Sequence, residues 1–88
     1  MSEEEWVEFC SKFEDLNPDF LSNVKKAHTD LTKSELRMLI LTKVGFTQKE
    51  IAQILSIAED SVKKSRQRLR KKIQVPSGTT LPIYLKKF

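Results

Sequence analysis

The chain has 88 residues, with sixteen Lys and Arg against twelve Asp and Glu, for a formal charge of +4. A chain this short supports one small domain and buries only roughly 60–65% of its unfolded surface. Its longest apolar run, residues 38–41, is too short for a transmembrane segment or signal peptide, and its one cysteine, Cys10, cannot form an internal disulfide.

Residues 3–16 read as a helix. Trp6, Phe9, Cys10, Phe13 and Leu16 recur at spacings of three and four and make one apolar stripe, which places Cys10 in the core. Glu3, Glu4 and Glu5 suit the positive end of the helix dipole. Asn17-Pro18 interrupts the pattern. Asn17 is the expected cap of a second helix, with Pro18 in its first turn and Phe20, Leu21, Val24 and Ala27 on its inner face. His28-Thr29-Asp30 ends it, and His28 suits the negative end of the dipole.

Two capping boxes follow, Thr32-x-x-Glu35 and Thr47-x-x-Glu50. In each, the threonine oxygen accepts a first-turn amide proton and the glutamate returns a bond to the cap amide. Leu31 with Leu36, and Phe46 with Ile51, can staple these starts. Residues 33–44 are therefore a helix with Leu36, Leu39, Ile40 and Val44 inward, and Gly45 supplies the exit at positive φ. Residues 48–55 are a short helix with Ile51, Ala52 and Leu55 inward. Ala58 stands where a cap is wanted, and alanine cannot cap. The next helix, 59–73, buries Val62, Ser65, Leu69 and Ile73 and shows Lys63, Lys64, Gln67, Arg70 and Lys71 on its other side. Val75-Pro76-Ser77-Gly78 stops it. A last short helix over 81–87, capped by Thr80, offers Leu81, Tyr84, Leu85 and Phe88 as apolar contacts.

Charge divides unevenly along these elements. Residues 1–31 sum to −5 and residues 32–88 to +9, and residues 63–72 hold seven bases and no acid. A short helix, a three-residue turn and a longer basic helix describe a helix-turn-helix, whose second helix fits the major groove. The expected fold is all-α: a tri-helical helix-turn-helix core with additional N-terminal helices and a short C-terminal helix. Ala52 permits close approach of the two helices, and Ile57 is expected to fill the inside of the turn.

Leu31-Thr32-x-x-Glu35, Gly45-Phe46-Thr47-x-Lys49-Glu50-Ile51-Ala52-x-x-Leu55-x-Ile57 and Ser61-Val62-Lys63, ending in Lys72-Ile73, resemble the LuxR/GerE-type helix-turn-helix. The resemblance covers residues 31–74 and implies a transcriptional regulator that binds double-stranded DNA, often as a dimer. It implies base-facing positions at Lys63 and Gln67, and phosphate contacts at Ser61, Lys64 and Arg66; Arg70 and Lys71 extend the phosphate set along the same helix. Two positions depart from the family pattern: Ser34 replaces a common arginine, and Ala58 replaces the usual Ser or Thr cap. Trp6-x-x-Phe9-x-x-x-Phe13 and Asn17-Pro18-x-Phe20-Leu21 also look like the C-terminal region of Bacteroidetes regulators, which carry a long sensory part before it. The chain is then an excised domain or a short relative of these. Region 4 of an extracytoplasmic-function sigma factor is a related alternative, because Ser61-Val62-Lys63-Lys64-Ser65-Arg66 resembles its reading helix too.

The division expected is an acidic helical extension packed on the core over 1–30, the DNA-binding core over 31–74, and a C-terminal turn and short helix over 75–88. Leu81, Tyr84, Leu85 and Phe88 are candidates for a weak homodimer contact. No enzyme, cofactor or metal site is expected. One histidine and one cysteine do not make a zinc site, and no phosphate-binding or dinucleotide glycine pattern occurs. The chain carries no receiver domain, so a signal must come from a sensory domain, a separate signalling partner or dimerisation. The location expected is cytoplasmic, with no membrane partner. A different class of function, a helical protein–protein module using the aromatic stripe of the acidic segment, also stays open.

Overall fold

The computed structural model describes residues 2–88, and they form an all-α fold with no strand. In chain order the helices are α1 (Glu3–Leu16), α2 (Phe20–Ala27), α3 (Lys33–Val44), α4 (Gln48–Leu55), α5 (Glu59–Lys72) and α6 (Leu81–Leu85). They divide into two compact units. One runs to Asp30 and takes in Phe88; the other spans Leu31–Lys87.

In the first unit, α1 opens with a capping box missing from the expectations above. Ser2 Oγ accepts from Glu5 N at 3.2 Å, and Ser2 N donates to Glu5 Oε1 at 3.1 Å. Trp6 stacks on Phe9 with ring centres 5.5 Å apart, and Phe13 meets Phe20 edge to face at 5.4 Å. Both geometries suit the aromatic quadrupole. Four expectations need correction. Asn17 does not cap α2. It closes α1, its N–H donating to Phe13 O at 2.9 Å, while Phe20 N reaches back to Asn17 O at 3.2 Å. Pro18 thus takes the second position of a four-residue turn, which its fixed φ favours, and α2 starts only at Phe20. Leu16 is 83% exposed, because the chain reverses directly after it and the stripe ends at Phe13. Cys10 is half-buried rather than core, and Ala27 is exposed.

In the second unit, both threonine boxes form. Thr32 Oγ1 and Thr47 Oγ1 accept from Glu35 N and Glu50 N at 3.2 and 3.1 Å, and each glutamate receives the cap N–H at 2.8 Å. α5 packs on α4 and on α3, and α6 packs on another part of α3. With neighbours on two sides, α3 buries Met38, Leu39, Ile40, Leu41 and Thr42 in unbroken succession. This all-round burial replaces the single inward face expected. Val44, expected inward, is 46% exposed at the helix end, and Leu36 is half-buried. Buried Thr42 returns its hydroxyl to Met38 O at 2.8 Å, so that hydroxyl is not stranded. Gly45 adopts φ +106° and the chain leaves α3 there; a Cβ would find open space, so the backbone angle alone requires glycine.

The α4–α5 turn departs from expectation. Ser56, not a glycine, holds the left-handed conformation at φ 56°, and Ile57 N donates to Ala52 O at 3.0 Å. This closure turns Ile57 outward to 41% exposure instead of filling the turn. α5 ends in the same way, with Gln74 at φ 56° and Val75 N bonded to Arg70 O at 2.9 Å. Thr80 caps α6, which stops at Leu85, two residues short of the expected end.

Ala58 has φ −71° and ψ 149°, the extended geometry of the working caps Thr32 and Thr47, but makes no side-chain cap bond. Ala58→Ser should therefore raise unfolding free energy by about 0.5–1 kcal/mol. Chemical denaturation at matched salt measures the gain, and an unchanged midpoint would refute it.

Candidate nucleic-acid interface

α5 is anchored by one edge. Val62 and Leu69 are buried, and Ile73 at its end is 2% exposed. At 3.6 residues per turn these share a side, and Lys63, Lys64, Gln67 and Lys71 fall on the opposite side. All four are exposed, with Lys63 and Gln67 one turn apart. Ser61 is exposed in the first turn. Lys64 pairs with Asp60 at 3.1 Å, and both side chains are mostly in water. Such a pair contributes well under 1 kcal/mol and yields readily to a stronger anion.

The other bases of the 63–72 block have separate tasks, which the block's uniform sign conceals. Arg66 turns inward. Its Nη2 donates to Thr42 Oγ1 at 3.3 Å and to Phe46 O at 3.4 Å. It lies against the C-terminal end of α3, where the helix dipole favours a cation. Burial draws the guanidinium below its ordinary pKa, though it stays charged at neutral pH. The phosphate position expected for Arg66 is thus not where its charge points; its free rotamers are given up to join α5 to α3. Arg70 keeps an exposed side chain, but its Nη2 donates to Thr79 O at 3.1 Å and so holds the loop after α5. Lys72 Nζ meets Glu35 Oε1 at 2.8 Å, the carboxylate that also completes the α3 capping box. Arg68 lies on the flank, beside Ser65 and Leu69.

The C-terminal candidates also separate. Leu81 and Leu85 are 2% and 0% exposed within their own chain, because α6 lies on α3. Lys43 Nζ donates to Leu85 O at 3.4 Å across that contact. Tyr84 is half-buried, with its hydroxyl 3.5 Å from Ile73 O and Lys87 Nζ over its ring. Phe88 is half-buried and meets His28 edge to face within the first unit. Ile83 is the exposed large hydrophobic residue of α6, at 57%.

Among the described residues no group of His, Cys, Asp and Glu is placed to hold a metal ion, and no helix is long and apolar enough to cross a membrane. The family of bacterial regulatory proteins described as the luxR family, GerE, matches residues 29–85, well over half of the chain. The chain belongs to the luxR family. The match runs from before the α3 cap to the end of α6, so the short C-terminal helix lies within the family unit. LuxR-family domains of this kind are helix-turn-helix DNA-binding regulators rather than enzymes. No curated protein and no solved structure matches the chain.

Glu35 connects this luxR-type core to its basic helix, and its titration is measurable. Burial raises its pKa, but hydrogen bonds from Lys72 and from Thr32 outweigh burial and hold it below the ordinary value. A lowered folded pKa means that the stabilisation is complete above the unfolded pKa of about 4.3 and is lost as pH falls through the folded one. Glu35→Gln keeps the cap geometry and removes the charge. At pH 7 it should cost about 1 kcal/mol, and the gap to wild type should close as pH falls below about 4. Thermal melts across pH check this; a gap unchanged at pH 3 would refute it.

Proposed function

We propose that this luxR-family domain binds double-stranded DNA sequence-specifically and regulates transcription, with α5 entering the major groove. The observation that carries the reading is the exposed face of Lys63, Lys64, Gln67 and Lys71 on a helix whose opposite edge is anchored by Val62, Leu69 and Ile73. A helix of 14 residues spans about 21 Å, and the groove, about 12 Å wide, admits one such helix. Lys63 and Gln67 read base edges, for which guanine and adenine offer matching acceptors and donors. Ser61, Lys64, Arg70 and Lys71 contact phosphates and fix the register. Arg66 and Lys72 hold the helix on α3 and leave the DNA to the others. On this reading the domain acts in the bacterial cytoplasm and receives its signal from a sensory domain or a separate signalling partner.

Selection of binding sites from random duplexes supplies the target. On that target Gln67→Ala should cost about 1–3 kcal/mol, and on random DNA much less. Equal losses on both would remove Gln67 from the reading set. Lys64→Ala with Lys71→Ala should weaken all duplexes alike and lower the salt slope by about two units. An unchanged slope would remove both from the phosphate set.

Pairing on DNA belongs to the same proposal. One module buries only roughly 600–1,000 Å², and two-fold sites are the usual answer. With Leu81 and Leu85 used inside the chain, Ile83 and the open side of Tyr84 remain for a partner copy. A stable protein interface needs about 1,200 Å² or more. The domain should therefore sediment as a monomer at micromolar concentration and load cooperatively, two copies to a palindromic duplex. A free dimer, or two copies bound independently, would refute this.

A further inference from the structure

The C-terminal half of α5 and the chain just after it enclose a shallow depression of about 530 Å³, lined by Gln67, Arg70, Lys71, Gln74 and Val75. Its surroundings are braced. Val75 N donates to Arg70 O at 2.9 Å, and Thr79 N closes a four-residue turn on Pro76 O at 3.1 Å. Arg70 Nη2 holds Thr79 O at 3.1 Å, which ties that turn to the depression. Gly78 is third in the turn at φ +83°, an angle glycine accepts without strain. Gln74 holds φ 56°, where glycine would cost less, and it is exposed. The lining contains no acid, and residues 61–88 carry nine Lys and Arg with no Asp or Glu.

We propose that this depression seats a backbone phosphate of the DNA duplex, at the wall of the groove that α5 enters; the proposal rests on that placement of α5. Gln67 and Lys71 belong both to the face assigned to DNA and to the depression, so the two surfaces are continuous. Reach decides what lies here. Lys63 and Gln74 stand about 16 Å apart along the helix axis, and the groove is about 12 Å wide. With Lys63 and Gln67 on base edges, Lys71 and Gln74 fall at the wall, where the phosphates of one strand run. The donors suit that anion. Lys71 supplies charge, the Gln74 amide supplies N–H groups, and Arg70 keeps further guanidinium N–H groups besides the one on Thr79 O. The one apolar residue of the lining, Val75, is half-buried, so there is no apolar floor to hold a peptide helix. A phosphate held here carries no sequence information; it sets how far along the groove α5 lies. Gln74 is then a glutamine in a glycine's conformation because its side chain is used.

The test uses the full chain and the duplex chosen by selection from random sequences, prepared as a set with one phosphate at a time replaced by an uncharged methylphosphonate. Wild type should lose roughly tenfold in affinity at each phosphate it contacts. In Gln74→Gly the loss at one of these positions should vanish while the others persist, and binding to the unmodified duplex should weaken by roughly tenfold. Lys71→Gln should erase the response at the same phosphate. Glycine relieves the left-handed angle, so Gln74→Gly should melt no lower than wild type, which separates a lost contact from a damaged fold. Wild-type responses at every phosphate in Gln74→Gly would overturn the proposal, and so would Gln74→Gly and Lys71→Gln acting at different phosphates. An acidic peptide or inorganic phosphate that shifts the Gln74 and Val75 amides when the duplex does not would overturn it too. If wild type prefers no duplex, the placement of α5 fails and this proposal with it. If the losses map to α5 but none responds to Gln74→Gly, this proposal alone fails.

Discussion

α5 cannot be a stable helix by itself, and this dependence governs the second unit. Isolated helices of this length are marginal in water. Lys64 with Arg68, Arg66 with Arg70, and Arg68 with Lys72 also set like charges four residues apart, each costing a few tenths of a kcal/mol. Burial of Val62, Leu69 and Ile73 offsets this, at about 1.5–3 kcal/mol for each side chain. The dipole helps at both ends, with Glu59 and Asp60 in the first turn and Arg70, Lys71 and Lys72 in the last. The helix can thus carry an uncovered basic face only while α3 and α4 cover the other. That explains why α3 is buried over five successive residues, and why α6 spends its leucines on α3.

Features set by neighbouring residues were readable from the sequence. The boxes at Thr32 and Thr47, the glycine exit at position 45, the uncapped start at Ala58 and the apolar edge of α5 follow from spacings of three and four. The box at Ser2 has the same signature and was equally readable. What the sequence concealed depends on distant partners. Arg66 meets Thr42 across 24 positions and Lys72 meets Glu35 across 37. Nothing local tells these two apart from Lys63 or Lys71. A run of seven bases reads as one surface, and the fold sorts it into anchors, rim and exposed face. Val44 and Leu16 failed for a related reason: periodicity gives a direction, while burial needs a neighbour in that direction. The left-handed Ser56 and Gln74 were hidden because serine and glutamine carry no strong signal for that conformation.

The polar ties along α5 are graded from one end to the other. The C-terminal half has Lys72 on Glu35, Arg70 on Thr79 and Tyr84 near Ile73 O. Arg66 holds the middle. The start of α5 has an alanine cap, a left-handed serine two residues before it and, one turn in, Lys64 tied to exposed Asp60. A non-glycine left-handed residue costs about 1–2 kcal/mol, and a missing cap about 1 kcal/mol more. Gln74 puts a left-handed residue after the far end too, so the two ends differ in the missing cap near Lys63 and in the clamps at the far end.

That gradient would have a physical consequence if α5 enters a groove as proposed. Each phosphate or base contact made near Lys63 can supply partners to first-turn amides and to Lys64 without first breaking a strong internal bond. Moving the helix at its far end to meet a contact would instead strain a short ion pair and a buried edge. Orientation of α5 is thus fixed from its C-terminal half, while the N-terminal turn is where adjustment costs least. A serine at position 58 would shift this balance towards stability. If α5 is the reading helix, as proposed, a serine and this chain's alanine at position 58 would be two settings of one trade-off, between a stiffer first turn and one that adjusts more easily.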